Sequence, residues 1–213
     1  MFYQKPFDQA LRFGDIVHGF ISSVLRMDRP TLDHKHVDYQ LEIGMPEYCV
    51  VFSPCCSIGD ETITLIPLQH ILPRFLENPF FEEDLTNINR RMPPEKAVSP
   101  EVWERRISSE EKARRLQEGI VYTLNHFFVY TPDEVLPQYS LKFKNETRQV
   151  GHYMIDFRRS FRVRCPQIQS AERSPLESKL LQLSVESRQE LRDKVSWYYS
   201  RPPQEDQVLL GAK

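Results

Sequence analysis

The chain has 213 residues, 40% hydrophobic and 27% charged, a globular balance that excludes wholesale disorder and fibrous architecture. With 28 Lys and Arg against 30 Asp and Glu, its net charge of -2 carries no global basic field for nucleic acid. No apolar stretch approaches the ~20 residues of a membrane-spanning helix, and the opening Met1-Phe2-Tyr3-Gln4-Lys5-Pro6 lacks a signal peptide's apolar core, so we expect a cytoplasmic protein without a membrane partner.

In chain order, Gly14-Asp15-Ile16-Val17 is a turn pair followed by β-branched residues, and reads as a first strand continuing to Val24. The polar stretch 26–36, with Pro30, reads as a surface loop. Strands return at 37–43 and 48–53. Cys49-Val50-Val51-Phe52, bounded by Pro46 and Pro54, has the unbroken apolar character of a central strand buried on both faces. Residues 61–67 alternate polar and apolar side chains, and Pro67 is expected to end that ladder, leaving Ser53 to Asp60 as a hairpin tip.

Residues 68–119 hold many charges and Pro73, Pro79, Pro93, Pro94 and Pro100, and read as a helical insertion. Ser99-Pro100-Glu101 and Ser108-Ser109-Glu110-Glu111 are helix starts with a serine N-cap, and Gly119 is a stop. A largely solvated helix covering a sheet edge is expected there. Further strands follow at 120–130, 149–157 and 161–165. Ser184 opens a helix to Ser200, with Leu191, Val195 and Tyr198 on one face, and the leucines at 176, 180, 181 and 183 point to a short helical turn before it. These elements amount to a mainly β (α+β) unit over 1–200 with an insertion at about 68–119, followed by a polar tail at 201–213.

The order of these segments resembles the MazF/PemK toxin family. The matching residues are Gly14-Asp15-Ile16-Val17, Val50-Val51-Phe52-Ser53, Leu65-Ile66-Pro67, Ile155-Asp156-Phe157-Arg158 and Leu183-Ser184. The resemblance implies an SH3-like small β-barrel with a helical insertion and a C-terminal helix. It also implies a metal-free ribonuclease, in which an arginine at the start of the second long strand and a threonine or serine after the Pro-Ile step act on the scissile phosphate. This sequence has Glu47-Tyr48 and Leu68-Gln69 at those positions, so the cleavage chemistry is not carried over. The hairpin Ser53-Pro54-Cys55-Cys56-Ser57-Ile58 further resembles a Ser-x-x-Cys-Asp-Ile motif of such barrels, with Cys56 at the motif cysteine and Ser57 replacing the acid.

Three candidate sites follow from residue chemistry. Cys55 and Cys56 at a hairpin tip offer a reactive thiol, with Cys56 the preferred nucleophile and His18, His34, His36 or His70 as base; the alternative is a cysteine packed as a small hydrophobe. His34 and His36, two residues apart, could join a cysteine on a metal, but a polar loop is the commoner use of that pattern, and neither a metal nor a cofactor is expected. The dense basic segment comprises Arg158, Arg159, Arg162 and Arg164, joined by Lys142, Lys144 and Arg148. If 149–157 and 161–165 pair as a hairpin, Arg162 and Arg164 share one face, with Phe143, Tyr153 and Phe161 available for base stacking. The alternative is an edge strand kept soluble by charge.

The leading expectation is a non-catalytic module of a bacterial toxin-antitoxin or phage-defence system, CRISPR-associated accessories included. It would bind a protein partner, with RNA or a second copy of the chain as further partners. The competing expectations are a metal-independent endoribonuclease rebuilt around Arg158, Arg159, Gln69 or His70, and a thiol-dependent protein using Cys56.

Overall fold

The computed structural model describes residues 1–8, 10–27, 39–54, 57–58, 62–77, 89, 97–98, 107–118, 121–122, 126–143, 145–164 and 178–200. The strands are β1 (Ile16–His18), β2 (Ser22–Met27), β3 (Tyr39–Gly44), β4 (Tyr48–Val51), β5 (Thr62–His70), β6 (Ala97–Val98), β7 (Val121–Tyr122), β8 (Phe127–Tyr130), β9 (Tyr139–Phe143), β10 (Glu146–Val150), β11 (Tyr153–Asp156), β12 (Phe161–Arg164) and β13 (Lys179–Leu181). Two α-helices, α1 (Ser109–Gln117) and α2 (Val185–Ser200), complete the described elements together with short 3-10 turns.

The architecture is mainly β and built from antiparallel pairs, apart from the two-residue parallel contact of β6 with β7. A seven-stranded sheet runs in the order β13-β1-β4-β5-β11-β8, with β12 also pairing β5. This path has two ends, β13 and β8, and no pairing joins them among the described residues. Both outer edges are covered. Along β13 the N-terminal lead adds Gln4 N–H to Gln182 O and the bridge from Tyr3 to Leu183. At β8 the buried Asn89 amide donates to Val129 O and accepts from Val129 N–H, both at 2.8 Å, occupying the backbone groups that a further strand would otherwise pair.

The expected central strand is present: Cys49, Val50 and Val51 are fully buried in β4, between β1 and β5. One face of the sheet packs Ile16, Val50, Ile66, Phe128 and Ile155 against Leu181, Leu183 and Leu191. The other packs Val17, Cys49, Val51, Ile63 and Leu65 with Phe161, and, further along, Val129 and Met154 with Ile71 and Phe75. Apolar layers on both faces explain why this strand reads as a continuous apolar run.

Four expectations are corrected. Pro67 does not end its strand, which continues to His70, past the expected boundary at 68. Phe52 N–H donates to Thr64 O, and alternation from that pair turns the Pro67 nitrogen away from β4. On its other side β12 stops opposite Leu65 and β11 begins opposite Gln69, so no ladder bond is missing. The first strand is not continuous to Val24, because Gly19, with φ +84°, breaks β1 from β2. Of the leucines before α2, Leu180 and Leu181 form β13 against β1 rather than a helical turn and Leu183 bridges Tyr3, while Leu176 lies outside the described residues. Finally, β11 and β12 are not a hairpin; the 3-10 turn Phe157–Arg159 separates them, and β12 pairs with β5.

The two α-helices keep their expected starts. Ser184 Oγ accepts from Ser187 N–H, and Ser108 Oγ accepts from Glu111 N–H. The expected start at Ser99, the stop at Gly119 and the tail 201–213 lie outside the described residues.

Candidate functional site

Two regions collect the chemistry. The first lies where β12 and β11 part company along β5. Asp156 ends β11 and caps the 3-10 turn by accepting from Arg158 N–H at 3.0 Å. It also accepts from the Arg158 guanidinium through both oxygens, at 2.9 and 2.7 Å. Burial acts to raise the Asp156 carboxyl, but the Arg158 hydrogen bonds outweigh it and hold the group below the usual carboxylate range. The Arg158 guanidinium also lies 5.9 Å from the Phe127 ring centre. Next along the turn, Arg159 donates to Gln69 Oε1 at 3.1 Å across the gap beside Pro67.

The structure therefore brings Arg158, Arg159 and Gln69 to one place but sends His70 elsewhere. Successive residues of β5 face opposite sides. The His70 ring stacks on Tyr139 with centres 3.6 Å apart and 7° between planes, and contacts Tyr153 edge-on. Gln69 and His70 cannot meet one substrate together.

Arg162 and Arg164 are exposed and do share a face, opposite Thr64 and Thr62 of β5, so the expected juxtaposition arises from a different pairing. Lys142 is exposed on β9 opposite Thr147. The proposed stacking aromatics are all buried: Tyr153 and Phe161 face apolar clusters, and the Phe143 ring is covered by the Arg148 guanidinium, 5.7 Å from its centre. Cys55, Cys56, Cys165, His34, His36 and Lys144 lie outside the described residues. Cys49 is a free, buried thiol pushed up to about 12 by desolvation, which makes it a packed hydrophobe and not a nucleophile. Among the described residues no group of three or more His, Cys, Asp or Glu side chains could hold a metal ion.

The second region is the hairpin β2–β3, where sequence reading placed no site. Its register sets Ser23 opposite Ile43, Leu25 opposite Leu41 and Met27 opposite Tyr39. Directly opposed residues project to the same side, so these three rungs make one face, and Val24 with Glu42 and Arg26 with Gln40 make the other. The first face contains no charge. Its five large side chains, Leu25, Met27, Tyr39, Leu41 and Ile43, are 42–65% exposed. On the polar side Arg26 lies 3.7 Å from Glu42. Hairpin β9–β10 is an internal contrast: its Phe143 and Val150 are buried, and Tyr139 and Leu141 pack on the Ile71–Phe75 cluster. Alternation along 39–43 signals this amphipathic strand, but the register that adds Leu25 and Met27 is set by the pairing of β2 with β3.

Comparison with family models, curated proteins and solved structures finds no match for this chain. What the surface chemistry supports therefore rests on the residues themselves. No helix among the described residues is long and apolar enough to cross a membrane.

Proposed function

We propose that this chain is a protein-interaction module whose docking surface is the apolar face of the β2–β3 hairpin. One observation carries the reading: the β13 and β8 ends of the main sheet are covered, its branch strand β12 presents the charged Arg162 and Arg164, and hairpin β9–β10 buries its apolar side chains, whereas five large apolar side chains of β2–β3 face outward without a charge among them. A two-stranded ribbon gains little stability in isolation, and an uncharged apolar face of this kind is stabilised by a covering surface. Arg162 and Arg164 lie on β12, which β2 approaches, outside this uncharged face.

The resemblance to MazF/PemK toxins supplies the setting of the proposal, a cytoplasmic accessory of a toxin-antitoxin or phage-defence system, CRISPR-associated systems included. The SH3-like barrel belongs to the same reading. It is supported by β5, which exchanges β12 for β11 midway, the kind of partner switch by which a sheet turns a corner.

The endoribonuclease reading retains one specific observation, the Arg159–Gln69 contact. Against it, Arg158 is engaged by Asp156 and His70 faces away. Incubating RNA with the purified chain, without added metal, separates the readings: the module leaves RNA intact, whereas cleavage abolished by Arg159→Ala supports the enzyme. Co-purification tests the module directly. Leu41→Lys is expected to lose any protein, including a tagged copy of the same chain, that wild type retains; equal retention by both overturns the docking face.

A further inference from the structure

Resting on the docking reading above, we infer that the occupant of the β2–β3 apolar face is a second copy of this chain, packed face to face about a two-fold axis. The face is a ladder of three rungs. Leu25–Leu41 lies in the middle, the bulky Met27–Tyr39 rung at one end and the smaller Ser23–Ile43 rung at the other.

A two-fold axis lying in the contact plane along the middle rung reverses the ladder end for end. It sets Leu25 and Leu41 against the same residues of the second copy, Tyr39 against Ile43, and Met27 against Ser23. Large side chains then meet small ones, the interdigitation that stacked sheets about 10 Å apart require. The alternative axis, parallel to the strands, would stack the bulky rung on itself.

Charge agrees with this occupant. A homotypic contact opposes every charged group with its own kind, which is costly when the patch carries net charge. This face has none, and Arg26 and Glu42 neutralise each other on the reverse side. Area agrees as well. Five side chains at the observed exposures amount to roughly 500 Å², in the range of the largest patches on monomers (~300–600 Å²). Two such faces in contact remove about 1,000 Å², which with flanking Ile21 and Met45, both exposed, reaches the lower end of stable interfaces at ~1,200 Å².

Sedimentation velocity on the full chain at about 50 μM tests the inference. Wild type is expected to sediment as a dimer. Leu41→Lys and Leu41→Asp are each expected to sediment as monomers, because the axis brings the substituted positions together, and an equimolar mixture is expected to regain the dimer. Unchanged far-ultraviolet circular dichroism establishes that the variants fold. If either variant fails to fold, oxidative cross-linking replaces it: Tyr39→Cys chains mixed with Ile43→Cys chains should give a disulfide between those two positions, located by peptide mass spectrometry.

A wild-type monomer, or a dimer that persists in both Leu41 variants, overturns the inference. So does a cross-link confined to other positions. A wild-type monomer that still retains a different protein through Leu41 would leave the docking reading standing while removing the second copy as occupant. A monomer that retains nothing removes both.

Discussion

Lys179 Nζ lies 2.8 Å from Asp15 Oδ2, with both side chains fully buried. The pair joins β13, near the end of the described chain, to the turn that precedes β1. Lys179 also donates to Asp8 O, Ala10 O and Gln182 Oε1, while Asp15 Oδ2 accepts from Arg12 N–H. The ammonium thereby ties the N-terminal lead to the far edge strand.

Removing that ammonium takes a donor from Asp8 O, Ala10 O and Gln182 Oε1 and leaves the buried Asp15 carboxylate without its counter-charge. Lys179→Met is expected to destabilise the fold by about 3–5 kcal/mol, the usual cost of breaking a buried pair from one side. Urea unfolding followed by fluorescence measures it. A loss below about 1 kcal/mol would show that the cluster contributes little.

Asp15 also makes stability depend on pH. Burial pushes its carboxyl up to about 6, against the opposing pull of Lys179, the Arg12 N–H and Arg188. A raised folded value means that the native state holds the proton more tightly than the unfolded chain. Its contribution is therefore present below about pH 4 and lost as pH rises through 6, by about 3 kcal/mol in full. Urea midpoints of wild type and Asp15→Asn, compared between pH 4 and 7, isolate this group from Asp8 and the other carboxylates; wild type should lose stability relative to the variant as pH rises. Parallel profiles would contradict the assignment.

Gly14 and Gly19 both sit at positive φ, +89° and +84°, but in different surroundings. A Cβ on Gly14 would lie 2.6 Å from Leu183 Cδ1, whereas one on Gly19 meets nothing within 4 Å. Gly19→Ala should cost about 1–2 kcal/mol from backbone conformation alone, and Gly14→Ala measurably more because Leu183 must also move. Thermal midpoints in the opposite order would contradict this packing.

Much of the fold was legible because its signals are local. The apolar run at 49–52 marked a strand buried on both faces, and Ser184 and Ser108 marked two helix starts. Apart from the local break at Gly19, the failures share a cause: pairing partners distant in sequence. Pro67 reads as a terminator, and only the gap between β12 and β11 makes it harmless. Phe143, Tyr153 and Phe161 sit among basic residues in the sequence and look available for stacking, yet strand alternation turns Tyr153 and Phe161 into the core, and Arg148 occupies the Phe143 ring. The docking face was invisible for the same reason, since Leu25 and Leu41 become neighbours only through the register of β2 with β3. The same limit applies to the Asp15–Lys179 pair.

Asp156 illustrates a residue whose motif position was legible but whose role was not. It caps the turn carrying Arg158 and Arg159 and engages Arg158 through both oxygens. Asp156→Ala should lower stability by about 1–2 kcal/mol through loss of the cap and the charge-assisted bonds. Arg158→Ala, with that side chain largely exposed, should cost under about 1 kcal/mol. Equal losses in chemical denaturation would mean that the ion pair, rather than the cap, dominates.

The central claim is that the β2–β3 apolar face is covered when the protein works. Hydroxyl-radical footprinting reads it most directly, by comparing oxidation of Leu25, Met27, Tyr39, Leu41 and Ile43 in the dilute purified chain with oxidation in the assembled state in cell extract. The account predicts strong oxidation when dilute and protection of all five on assembly, with Val185 and Tyr199, exposed on α2, unchanged. Equal oxidation of the five in both states would contradict it.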